Sequence, residues 1–205
     1  MTHVKICGLT TVADAGCVND NGAEYAGFVF AEGSRRTVTP ETASDMRRTI
    51  GGDTVTVGVF ADQSADLILR LVRDGTIGAV QLHGREDRGF IGMIRAEAGV
   101  QVIKSFSITD EGDIADAAAS DADMIMLDSG GGTGKRFDWS LVKDIGRPFF
   151  LAGGLDPENV REAVKYIRPF AVDVSSGVET DGRKDPSKIR EFIRTVRQAD
   201  GEDRT

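Results

Sequence analysis

Eight short apolar runs, separated by stretches with helical periodicity, constrain this chain more than any single motif does. They lie at 3–6, 25–30, 54–60, 77–82, 100–106, 124–127, 148–151 and 170–174. Several are nearly continuous in apolar residues, as strands buried on both faces should be. Between the runs, Leu67, Ile68, Leu71 and Val72 make one helical stripe, and Val160, Ala163, Val164 and Ile167 a second. Ile189, Phe192, Ile193 and Val196 make a third. Thr39-Pro40, Asp156-Pro157 and Asp185-Pro186 each place a capping side chain before a proline at the first helical position. Proline there loses no needed hydrogen bond and already has a helical φ.

Strands joined by helical crossovers run parallel, because parallel neighbours need long connections. The alternation fits both a closed barrel and an open doubly wound sheet. The count of eight favours an α/β fold, a compact (β/α)8 TIM barrel occupying 1–205 as one domain. The fifth crossover, ITDEGDIADAAASDAD, is weakly amphipathic and predicts a reduced fifth helix, short or mostly loop. No Ser/Gly-rich linker divides the chain, and no fixed-period repeat or ninth element is needed.

The net charge of −8 argues against a nucleic-acid partner, whose polyanionic backbone wants a basic face. No apolar run approaches a bilayer span, and MTHVKICGLT lacks the layout of a signal peptide. Cys7 and Cys17 are not spaced as a zinc or CxxC motif, so free thiols in a reducing cytoplasm are expected, with no metal. Asp outnumbers Glu 22 to 11, and Arg outnumbers Lys 18 to 7. An ordinary acidic surface would explain this; adaptation to high salt, where screening within a few Å makes dense negative charge tolerable, explains it more sharply.

In a (β/α)8 barrel the chemistry gathers at the C-terminal strand ends. Those ends carry Cys7, the pair Arg35 and Arg36, His83, Asp128, Gly153-Gly154 and Ser175-Ser176-Gly177. Singly, each has a bland alternative: a buried thiol, a solvated arginine, a capping aspartate. Their common face raises their joint weight. The run DSGGGTGKRFDW resembles an ATP loop only superficially, because that pattern needs glycine at Ser129 and a hydroxyl at Arg136. Glycine-bearing ends let backbone N–H groups approach an anion closely. Gly132, Thr133 and Gly134 with Gly153, Gly154, Ser175, Ser176 and Gly177 therefore predict a cradle for the phosphate of a small metabolite.

KICGLT, QLHG, DSGGGTGKRFDW, AGGL and DVSSGVE, in this order along nearly the whole chain, resemble the phosphoribosylanthranilate isomerases of tryptophan biosynthesis. The resemblance implies an Amadori rearrangement without a cofactor, in a monomer or homodimer. It implies Asp128 as acid at the ribose ring oxygen and Cys7 as base at C2′. It also implies Arg36 on the anthranilate carboxylate, Asp173 near the anthranilate group, and Lys5 and His83 in support. The family's Ser-Pro-Arg is Ser34-Arg35-Arg36 here, which puts in question the loop's rigidity and which arginine points inward. The productive pair, thiolate plus carboxylic acid, is outweighed by roughly 10⁴·⁶, about 6 kcal/mol, at ordinary pKa values. The site must therefore raise Asp128 and lower Cys7, or let bound substrate do so; the apolar strand before Asp128 favours its neutral acid, and Lys5 is a candidate cation for the thiolate. The sister isomerase of histidine biosynthesis uses two aspartates, and a non-catalytic phosphate binder leaves Cys7, Asp128 and Arg36 without a shared purpose.

The charge composition is checked by thermal unfolding across a KCl series. Stability is expected to rise with salt, and full stability in dilute buffer would dismiss the salt adaptation.

Overall fold

The computed structural model describes residues 1–129, 138–142 and 145–202. Eight parallel strands close into a barrel: β1 (His3–Cys7), β2 (Tyr25–Val29), β3 (Val55–Phe60), β4 (Ala79–Leu82), β5 (Gln101–Ser107), β6 (Met124–Asp128), β7 (Phe149–Leu151) and β8 (Ala171–Val174). The closing pair is β1 with β8, in the register Lys5 to Asp173. Each predicted strand is present within about two residues at either end, the ordinary scatter of element boundaries.

Side chains alternate between the two faces of every strand. Val4, Ile6, Phe28, Val80, Leu82, Ile125, Leu127 and Val172 face outward into the layer between barrel and helices. Tyr25, Val57, Ala79, Ile103, Met124, Met126, Phe150 and Ala171 fill the barrel interior. Both faces are buried, which is why the strands read as nearly continuous apolar runs.

The outer layer holds α1 (Val12–Asp20), α2 (Pro40–Thr49), α3 (Ala65–Arg73), α4 (Arg88–Ala98), α5 (Glu111–Ala118), α6 (Val160–Ile167) and α7 (Pro186–Glu202). All three predicted stripes face the core, with Ile68 and Leu71, Val160 and Ala163, and Ile189 and Phe192 among their buried members. Thr39 caps α2 with Pro40 at its start, and Asp185 accepts the Ser187 and Lys188 amides at the start of α7. The remaining pair, Asp156-Pro157, acts differently. Asp156 binds the Glu158 and Asn159 amides in a turn, and α6 starts only at Val160. Asn159 gives no side-chain cap, because its Oδ1 accepts the Asp156 amide instead, while its Nδ2 donates to the Gly154 carbonyl and anchors the loop after β7.

The fifth helix is short but well formed, with Asp110 and Asp113 making a reciprocal capping box. The sixth crossover is described only at 129, 138–142 and 145–148. Among the described residues it contributes only a 3₁₀ turn, Trp139–Val142. A further element also appears between β8 and α7: a hairpin of β9 (Glu179–Thr180) and β10 (Arg183–Lys184), turning at Asp181-Gly182 with φ of 50° and 77°. Positive φ at both central residues suits a tight hairpin turn, and Asp-Gly accepts it readily. Among the described residues no helix is long and apolar enough to cross a membrane.

Phe150 is fully buried in the barrel interior, edge-on to Tyr25 at 5.2 Å and to Phe170 at 5.7 Å. Phe150→Ala is expected to cost about 3–5 kcal/mol in denaturant titration. A loss below about 1 kcal/mol would contradict this packing.

Candidate active site

The period of two that sends Ile6 outward turns Lys5 and Cys7 inward at the top of β1. Lys5 is fully buried, and its ammonium donates to Asp173 Oδ1 on β8 at 2.8 Å. Burial by itself would push this ammonium down; the Asp173 carboxylate and the neighbouring Cys7 outweigh it and hold Lys5 above its ordinary value. Cys7 behaves in the opposite sense. Burial pushes its thiol up, Lys5 draws it back, and Asp173 adds to the rise, so Cys7 stays above the usual thiol range. Lys5 is thus the favourable cation beside Cys7 that the sequence suggests. Its effect falls short of lowering the thiol, because burial outweighs it and its own counter-ion, Asp173, adds to the rise.

Across the mouth, β4 and β6 bring His83 and Asp128 together, with Nε2 of the ring 3.9 Å from the nearer carboxylate oxygen. Below His83, buried Gln81 donates from Nε2 to Ser105 Oγ at 3.0 Å and lies 3.3 Å from His83 Nδ1. Met126, fully buried, lies in the layer beneath Asp128.

Arg36 reaches over Gly8, where a Cβ would come within 2.3 Å of Arg36 Cδ. Its Nε and Nη2 donate to the two carboxylate oxygens of Glu179 at 2.7 and 3.0 Å. Arg35 also reaches Glu179, but from the rim, with 56% of its side chain exposed against 20% for Arg36. Arg36 is therefore the inward arginine of the pair. The loop holds its shape without the family's proline: Ser34 Oγ accepts the Arg36 amide, and its carbonyl accepts the Thr37 amide and hydroxyl.

The glycine-bearing ends press against one another. A Cβ on Gly153 would lie 2.2 Å from Ser129 Oγ and 2.6 Å from the Ser129 amide nitrogen. One on Gly177 would lie 1.9 Å from the Leu155 carbonyl oxygen. Only side-chain-free backbone lets the ends of β6, β7 and β8 converge this closely. Ser175 joins them to β1 by donating from Oγ to the Cys7 carbonyl at 3.0 Å. Gly154 and Ser176 lie in the same two loops, while Gly132, Thr133 and Gly134 fall outside the described residues.

Residues 4–195 match the family model for N-(5′-phosphoribosyl)anthranilate isomerase. The chain belongs to the phosphoribosylanthranilate isomerase family. It is 43% identical over 202 residues to the N-(5′-phosphoribosyl)anthranilate isomerase of Endomicrobium trichonymphae, covering 96% of this chain and 99% of that one. The crystal structure of the Thermotoga maritima enzyme is similar with a TM-score of 0.89 and 40% identity, over 97% of this chain and all of that one. A family structure in complex with reduced 1-(o-carboxyphenylamino)-1-deoxyribulose 5-phosphate is similar with a TM-score of 0.87 and 39% identity, over 97% and 100% of the two chains. The (β/α)8 fold and the isomerase assignment follow from these matches.

Three residues of the site escape a reading by strand ends. Gln81 lies one layer below the mouth, and Glu179 and Lys184 sit on the added hairpin. Lys184 donates to Glu179 Oε1 at 2.9 Å and to the Ser175 carbonyl at 2.8 Å. The Asp-Gly turn flanked by ET and RK was the available signal for that hairpin.

Because Lys5 favours the Cys7 thiolate, Lys5→Met is expected to raise the Cys7 pKa further. In a Cys17→Ala background, iodoacetamide should then alkylate Cys7 more slowly at pH 8 than in the Lys5 parent. Equal or faster alkylation would show that Lys5 does not act on the thiol.

Proposed function

We propose that this isomerase converts N-(5′-phosphoribosyl)anthranilate to 1-(2-carboxyphenylamino)-1-deoxyribulose 5-phosphate by acid–base catalysis between Asp128 and Cys7. Asp128 gives its proton to the ribose ring oxygen as the C1′–O bond breaks, leaving an iminium. Cys7 thiolate takes the proton from C2′, and the electron pair moves into an enolamine. Loss of the enol proton and protonation at C1′ then give the aminoketose. A proton passing from Cys7 to Asp128 through solvent restores the starting state.

The carrying observation is that β1 and β6 bring Cys7 and Asp128 to one barrel mouth, with the Lys5 ammonium beside Cys7 and the His83 ring beside Asp128. In this reading Arg36 holds the anthranilate carboxylate and Asp173 lies near the anthranilate group. Gly153, Gly154, Ser175, Ser176 and Gly177, with Gly132, Thr133 and Gly134, cradle the phosphate. The close approach of the glycine-bearing ends supports that cradle. The chemistry needs a free thiol, and Cys7 and Cys17 are both free, which suits a reducing cytoplasm, while the net charge of −8 suits a salt-rich one.

The test follows anthranilate fluorescence while phosphoribosylanthranilate, generated in situ, is consumed in molar KCl. Asp128→Asn is expected to lower kcat by about 10²–10⁴-fold with binding largely kept, the usual worth of a general acid. Cys7→Ser should retain only slight activity, since a hydroxyl is a far poorer base. Near-normal turnover in either variant would remove that residue from the mechanism.

A further inference from the structure

We propose that Glu179 is a positioning residue that fixes one edge of the Arg36 guanidinium and so aims its other edge at the substrate carboxylate. The proposal rests on the isomerase reading above, in which Arg36 meets the anthranilate carboxylate. Glu179 sits on β9 directly opposite Lys184 on β10, and its side chain is 5% exposed. Its two oxygens have about four acceptor positions between them. Four donors take them: Arg36 Nε at 2.7 Å and Lys184 Nζ at 2.9 Å on Oε1, with Arg36 Nη2 at 3.0 Å and Arg35 Nη2 at 2.5 Å on Oε2. Burial works against the carboxylate charge, and the Arg36 and Lys184 bonds overcome it, so Glu179 remains ionised well below neutral pH.

An arginine presents two forks, one along Nε and Nη2 and one along Nη1 and Nη2. Glu179 occupies the first. Among the described residues Nη1 makes no hydrogen bond, and the second fork has the shape that a planar carboxylate accepts in bidentate fashion. A free arginine side chain would lose rotamer entropy on meeting that carboxylate; one clamped by Glu179 and packed across Gly8 has already lost it. The three cations around one carboxylate also leave the cluster net positive, as an arriving anion requires. The same clamp is tied to the base. Lys184 donates to the Ser175 carbonyl, and Ser175 Oγ donates to the Cys7 carbonyl. A purely structural ion pair would need neither the open fork nor a connection to β1.

The experiment measures equilibrium binding of two inert product analogues: the reduced o-carboxyphenylamino-deoxyribulose 5-phosphate and its phenyl counterpart without the carboxyl group. Wild type should prefer the first. Glu179→Gln is expected to weaken that ligand on the order of tenfold, about 1.4 kcal/mol, and to leave the phenyl ligand unchanged. In turnover, KM should rise more than kcat falls. Adding Glu179→Gln to Arg36→Met should cost nothing further, because the two act on one interaction. Glu179→Asp keeps the charge on a shorter arm and should give a smaller loss of the same selectivity; it carries the test if the Gln variant does not fold. Equal weakening of both ligands, or a preference unchanged in both variants, would overturn the role of Glu179 alone. A wild type that binds neither ligand, or both equally, would overturn the isomerase reading and this proposal with it.

Discussion

Closure of the barrel between β1 and β8 is the constraint on which the rest of the site depends. It sets Lys5 opposite Asp173 and places a fully buried ammonium against a carboxylate inside the barrel. Two charges removed from water are costly, and such a pair is tolerated only with good geometry. Removing one partner of a buried pair typically costs about 3–5 kcal/mol, because the other is left uncompensated. The pair is therefore an expensive way to join two strands. Its position two residues below Cys7 gives the cost a chemical reason, since Lys5 is the cation that eases ionisation of the thiol.

That electrostatic arrangement is a compromise. A lysine without Asp173 would favour the thiolate more strongly, but burial would then threaten its own charge. With Asp173 present, Lys5 stays protonated and Cys7 remains a thiol of raised pKa. On the opposite side of the mouth, Gln81 lies against Nδ1 of the His83 ring, whose Nε2 faces Asp128. At the rim, Glu179 orders three cations in the same way that Asp173 orders one. In each case one group sets the charge or direction of its neighbour.

Much of the fold was legible because its signals are local. Apolar runs mark strands, the stripes at 67–72, 160–167 and 189–196 mark helix faces, and Thr39-Pro40 and Asp185-Pro186 mark two helix starts. Asp156-Pro157 misled because the Asp156 side chain closes a turn onto the Glu158 and Asn159 amides, and α6 starts only after it, at Val160. The weak periodicity of the fifth crossover understated a helix whose stability comes from its capping box rather than from a broad apolar face. The Asp181-Gly182 hairpin had a readable turn signal, but strands of two residues carry no periodicity that would call attention to it.

The candidate residues Cys7, His83 and Asp128 were determined by sequence alone, because a strand's end and its inward parity are properties of a few consecutive residues. The same holds for fold class, since eight buried parallel strands with crossovers leave few ways to close. Which groups act on one another was decided only by the tertiary structure. Lys5 meets Asp173 across 168 positions of chain, and Arg36 meets Glu179 across 143. No local pattern encodes such a meeting; it follows from the register in which the last strand closes against the first and from the hairpin that this closure lays over Arg36.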